Sequence, residues 1–190
     1  MELMQPHRDA HAETIGGRQI IKPEWDASIR IMARIAKLDP TVSEIISEGI
    51  PEVSIFWNDD GVPCRARFDW LRVRGAYDLK SFSGHASKPV LQSCVRAIEN
   101  YRYDLQEAHY RAARAAMKAL PIFGGTEQQR EYVRRCQQAE NPYFKFIFYK
   151  SIGAPILRTA SNPKAVIEPA QMDRQRAFEN WREYLSLIHI

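Results

Sequence analysis

The stretch EGIPEVSIFWNDDGVPCRARFDWLRVRGAYDLKSF, residues 48–82, decides the fold. EVSIFW and VPCRARFDWL are rich in β-branched and aromatic residues, and the turn sequence Asn58-Asp59-Asp60-Gly61 separates them. An Asp-Gly pair between two such runs is a hairpin signal. Cys64, Ala66 and Phe68 alternate with Arg65, Arg67 and Asp69, the period-two pattern of a strand with one buried face. A second turn near Gly75 leads into AYDLKSF. Three consecutive antiparallel strands are expected.

Outward from this core the pattern becomes helical. Upstream, Pro23 opens a run in which Trp25, Ile29, Met32, Ile35 and Ala36 keep three-and-four spacing to about Asp39-Pro40. A short helix is expected over 41–47, with Ile45 and Ile46 inward. Residues 1–18 show no apolar period and are expected to be loose. Downstream, 88–120 reads as two helices with a break around Asn100. Val90, Cys94 and Ala97 face inward in the first; Tyr103, Ala108 and Ala112 fall in the second. TEQQREYVRRCQQAE is a polar helix or connector. YFKFIFYKS, residues 143–151, is an apolar strand that can pair with ILRTAS through a turn at Gly153 and Pro155. A last helix is expected from Pro169 to Leu187, with Met172, Phe178, Trp181 and Leu185 near one face. This order predicts an α/β fold, one mixed central sheet flanked by helices, in a single domain spanning 1–190.

Composition sets bounds on the chemistry. At 190 residues, 45% hydrophobic and 26% charged, the chain can bury a full core and is neither disordered nor fibrous. No apolar run approaches the roughly 20 residues that span a bilayer, and the N terminus lacks a signal peptide's apolar stretch. No membrane association is therefore expected, and a cytoplasmic location is. The three cysteines, Cys64, Cys94 and Cys136, are too few and too scattered for a disulfide framework or a four-cysteine cluster, and are read as reduced thiols. Lys and Arg exceed Asp and Glu by 27 to 23, with 19 of the 27 being arginine. Guanidinium is the better bidentate ligand for phosphate, so a polyanionic partner is permitted. No glycine-rich phosphate loop is present.

The acidic residues of the strand region carry the most information. Asp78 and Lys80 lie two apart on one strand and so share a face. If the strands on either side of Gly75 pair, Asp69 approaches Asp78. Converging carboxylates repel unless neutralised, and a hard divalent cation is the plainest neutraliser. Ordinary cross-strand ion pairing of Arg67, Asp69, Asp78 and Lys80 is the alternative.

Four pieces in order carry a family resemblance: the strand from Glu52 to Trp57, the C-R-x-R-x-D run from Cys64 to Asp69, the D-L-K triplet from Asp78 to Lys80, and Gln106 with Tyr110 as a helical Q-x-x-x-Y. Together they resemble the nuclease core of the exodeoxyribonuclease VIII (RecE) type, in the PD-(D/E)XK superfamily with the RecB nuclease domain and lambda exonuclease. Residues 44–120 match best. The resemblance implies a restriction-endonuclease-like core and metal-dependent hydrolysis of DNA phosphodiesters. It implies Asp69, Asp78 and the Leu79 carbonyl as Mg²⁺ ligands, with Mn²⁺ as a substitute, and Glu52 as an upstream acid for a second metal or its water. Lys80 is then the residue that positions the attacking water, Gln106 and Tyr110 organise the site and contact DNA, and Arg67 is a phosphate contact. It further implies 5′-to-3′ exonuclease action on double-stranded DNA in phage-type recombination, a single-strand annealing protein as partner, and a ring-shaped homo-oligomer. A non-catalytic DNA-binding or assembly module, and an endonuclease of the same superfamily, are the alternatives.

Two departures stand out. Phe68 replaces the motif's proline, which shapes backbone and does no chemistry. RecB-type relatives also carry an N-terminal helix with a histidine, for which this chain has no match, so an N-terminally truncated relative is expected. His7 and His11 lack helical context and are not taken as substitutes. His85 reads as a loop residue and His109 as a packed or surface helix residue. Arg65, Arg72, Arg74, Arg96 and Arg102 are further candidate phosphate contacts.

Overall fold

The computed structural model describes residues 23–82, 89–150 and 156–188. The segment 1–18, His7, His11, His85, the turn at Gly153 and Pro155, and the Leu185 side chain lie outside the described positions. Helices α1 (Pro23–Leu38) and α2 (Pro40–Ile46) precede strands β1 (Ile50–Asp59), β2 (Val62–Arg72) and β3 (Gly75–Phe82). Helices α3 (Val90–Tyr101), α4 (Tyr103–Ala116) and α5 (Glu127–Gln138) then lead to β4 (Tyr143–Lys150) and β5 (Leu157–Ala160), and α6 (Lys164–Ile188) closes the order.

The strands form one five-stranded sheet in the order β1-β2-β3-β4-β5. Pairing is antiparallel except between β3 and β4, which run parallel across the α3-α4-α5 crossover that such a pair requires. The mixed sheet expected from the sequence is therefore present. The first hairpin turns at Asp60 (φ 51) and Gly61 (φ 87), the two positive values of a tight turn that matches strand twist, and Asn58 Oδ1 accepts the Gly61 N–H at 2.6 Å. The second hairpin is clamped from outside. Arg114 of α4 donates to the carbonyl oxygens of Val73 (2.6 Å) and Arg72 (3.4 Å), and the Tyr132 hydroxyl accepts the Val73 N–H at 3.3 Å. Gly75 opens β3 under the Tyr143 ring, where a Cβ would lie 2.3 Å from a ring carbon.

The two faces of the sheet bury two clusters. The larger one packs Ile55, Trp57, Cys64, Ala66, Phe68, Leu71, Phe144, Phe146 and Phe148 against α3, α4 and α5. The smaller one packs Tyr77, Ile147 and Leu157 against Val42 and Ile45 of α2. Asp39 caps α2, accepting the Val42 N–H at 2.9 Å. TEQQREYVRRCQQ becomes a true helix because Thr126 and Gln129 form a reciprocal capping box. The three cysteines are free and buried, and burial pushes each thiol up from its ordinary value.

Two sequence expectations change. In α1, Met32, Ile35 and Ala36 pack on the smaller cluster, whereas Trp25 and Ile29 are exposed, so only the C-terminal half of the helix meets the core. The last helix starts at Lys164, with Pro169 inside it. Its nucleus is Pro163, whose carbonyl accepts the N–H groups of Val166 and Ile167, and Ile167 and Ala170 are its buried anchors. Phe178 packs on the core as expected, while Met172 and Trp181 are exposed.

Helix α6 is strapped to the first hairpin. Arg174 forms an ion pair with Asp59 and donates from Nε to His109 Nδ1 at 3.2 Å. His109 Nε2 faces the Arg65 carbonyl at 3.0 Å, so the neutral ring protonated at Nε2 fits the network. Burial lowers the His109 pKa, and the Arg174 charge adds to that.

Candidate active site

The β2–β3 ladder stops early. Arg72 pairs with Gly75, Leu71 with Ala76 and Trp70 with Tyr77, and there the strands part. Beyond that point β2 pairs only with β1, and β3 continues along β4 to Phe82. The next pair in register would be Asp69 with Asp78, so both carboxylates stand at the fork. Forking strands leave backbone groups without partners, which is costly unless something else satisfies them. Here the Asp69 carboxylate does so, accepting the Leu79 N–H at 2.7 Å. In a strand the N–H and C=O of one residue point to the same edge, so the Leu79 carbonyl also projects toward the fork.

Asp78 is buried on the larger-cluster side of the sheet, at 2% exposure. The Gln106 amide donates to its Oδ1 at 3.1 Å, and Lys80, two residues on and on the same face, forms an ion pair with Oδ2. Among the described residues, no other hydrogen-bond partner engages Oδ2. Burial is the main force on this carboxyl and raises its pKa to about 6; the Asp69 charge pushes the same way, against Lys80 and Gln106.

One stripe of α4 walls the fork. Gln106 and Tyr110, four residues apart, lie on a common face. Tyr110 packs edge-on against Phe68 (5.4 Å) and Phe144 (5.5 Å), buttressing the residue before Asp69. Tyr103, three residues before Gln106, holds the Lys80 ammonium 4.7 Å from its ring centroid. Its part at the site was missed in the sequence, although its spacing of three and seven residues from Gln106 and Tyr110 is the signal that could have found it.

The β1–β2 register pairs Pro51 with Trp70 and Val53 with Phe68, and the ladder is interrupted between them, where Glu52 lies opposite Asp69 with φ 57. Its carboxylate is engaged by Arg67 Nε at 2.9 Å, both side chains exposed. Arg72 and Arg102 are likewise paired, with Glu48 and with Asp104 and Asp173.

Two carboxylates, one with an oxygen committed only to an ion pair, and a main-chain carbonyl are all hard oxygen donors. This set suits Mg²⁺, which takes few protein ligands and keeps several waters. Among the described residues, no cluster of three or more His, Cys, Asp or Glu side chains forms a fuller cage.

A mixed sheet whose central hairpin forks at two aspartates, with a lysine beside the second, defines the PD-(D/E)XK-like class of α/β domains. The chain belongs to the family described as a PDDEXK-like domain of unknown function (DUF3799), whose model matches residues 3–146. Among solved structures it is similar to a Eubacterium rectale protein described by name alone as an exonuclease, with a TM-score of 0.52 and 15% identity. The similarity covers 79% of this chain and 51% of that one, so this chain spans about half the length of its structural relative. No curated protein matches.

Proposed function

We propose that the protein is a Mg²⁺-dependent nuclease that hydrolyses phosphodiester bonds of double-stranded DNA from an end. The observation that carries this reading is the convergence of Asp69, the buried Asp78 and Lys80 at the fork between β2 and β3. Asp69, Asp78 and the Leu79 carbonyl would hold the cation. When bound, Mg²⁺ supplies Lewis acidity toward the phosphate and lowers the pKa of water. Gln106 fixes the Asp78 carboxylate by donating to Oδ1, leaving Oδ2 to the ligand and to Lys80. Lys80, held between Asp78 and the Tyr103 ring, orients the attacking water or offsets charge on the phosphate. The family name and the exonuclease-named structural relative support a nuclease. The 5′-to-3′ direction, a role in phage-type recombination, an annealing partner and a ring-shaped assembly extend the proposal along the RecE resemblance. A binding module without turnover is the competing reading, favoured by the engagement of the Glu52 carboxylate with Arg67.

The test is Mg²⁺-dependent degradation of linear duplex DNA, run beside a closed circular substrate. Nucleotide release from linear DNA only, reduced about 10²–10⁴-fold by Lys80→Ala, is expected. A folded protein that leaves both substrates intact overturns catalysis in favour of the binding module. Cutting of the circle establishes an endonuclease instead.

A further inference from the structure

Residues two apart on a continuous helix point about 200° away from each other, so Tyr101 and Tyr103 could not stack within one. They do stack, with centroids 5.6 Å apart and planes 26° from parallel. The cause is Arg102 between them, whose left-handed backbone (φ 52, ψ 46) ends α3 and starts α4. A side-chain-bearing residue adopts this conformation only when its surroundings hold it there. Here the guanidinium is held from two sides: Nε donates to Asp104 Oδ1 at 3.1 Å, and Nη2 donates to Asp173 Oδ2 of α6 at 2.8 Å. Tyr103 is committed inward, to Lys80 and to the rings of Phe146 and Phe148. Tyr101 packs on Tyr103 and is otherwise open, at 69% exposure. An exposed aromatic ring is thus held, by a strained helix break, one ring away from the lysine of the site.

We propose that Tyr101 is a stacking platform for the terminal nucleobase of the DNA strand whose phosphate enters the Asp78–Lys80 site. This rests on the nuclease reading of that site and names what it grips. Every base has a π-face, so stacking on tyrosine tolerates any sequence. Inside a duplex those faces are covered by neighbouring bases, whereas at an end one is open. A ring at this place discriminates ends from interior positions without reading sequence.

The test uses a duplex with 2-aminopurine as its terminal base and a dye at the far end, titrated with the full chain in EDTA so that no cleavage occurs. Dye anisotropy reports binding and 2-aminopurine fluorescence reports stacking. The native protein quenches the terminal 2-aminopurine and not an internal one. Tyr101→Ala removes the quenching and weakens binding about tenfold, and Tyr101→Phe retains both. DNA bound with quenching unchanged in Tyr101→Ala overturns the stacking role and leaves the nuclease reading standing. An anisotropy that rises with native protein neither in EDTA nor with Ca²⁺, a hard cation that supports binding without cleavage, overturns the nuclease reading itself, and the platform with it.

Discussion

Asp78 pays most heavily for its position. Its pKa of about 6 lies above the ordinary carboxylate value because burial disfavours the charged form. Between those two values the folded protein keeps a proton that the unfolded chain has released, so this group makes stability fall as pH rises through the window. Chemical denaturation of metal-free protein at pH 4 and pH 7 is expected to show this fall, and Asp78→Asn to reduce it. A cation needs the ionised form, so Mg²⁺ is expected to stabilise the protein at pH 8 and scarcely at pH 5; equal stabilisation at both would argue against Asp78 as a ligand. The strand period made Asp78 and Lys80 legible as neighbours on one face. The engagement of Glu52 was not legible, because it depends on a local break in the ladder and on Arg67 across it, which no spacing reveals.

At the scale of elements, the hairpin core was readable because an Asp-Gly turn and a period-two run each have a single good interpretation. The helix break expected near Asn100 falls at Arg102. Its consequence, two stacked tyrosines, was hidden because helical spacing places residues two apart on opposite sides. The start of α6 was misjudged for a related reason. Proline is common where a helix begins, and the proline at this helix's start is Pro163, immediately before Lys164, in place of Pro169. The fork depends on the second hairpin being anchored at its closed end, where Gly75 passes beneath Tyr143. Gly75→Ala drives a methyl into that ring and is expected to cost about 1–3 kcal/mol, read as a lowered melting temperature. An unchanged melting temperature would mean that Tyr143 moves aside freely.

Across the whole molecule, the Arg174 strap joins the last helix to the first hairpin through Asp59 and His109. None of its members stands near another in sequence, and the period of α6 alone does not select Arg174. Removing one member leaves the others partly buried and unmatched, so Arg174→Ala is expected to cost about 1–3 kcal/mol. Hydrogen exchange along α6 should then quicken while β3 and β4 stay protected. Acid acts on the same strap. With its folded pKa lowered, neutral His109 contributes stability that is complete above its ordinary value and is lost as pH falls below it.

The buried thiols open a practical route. Because Cys64, Cys94 and Cys136 are all shielded and all resist ionisation, the native surface offers little for maleimides or disulfide reagents to attack. A single cysteine introduced on the outside, with the native three left in place, becomes the dominant handle on the protein. Placed in the exposed Phe56 of β1, it gives a site for a fluorophore or a surface tether that leaves the fork untouched.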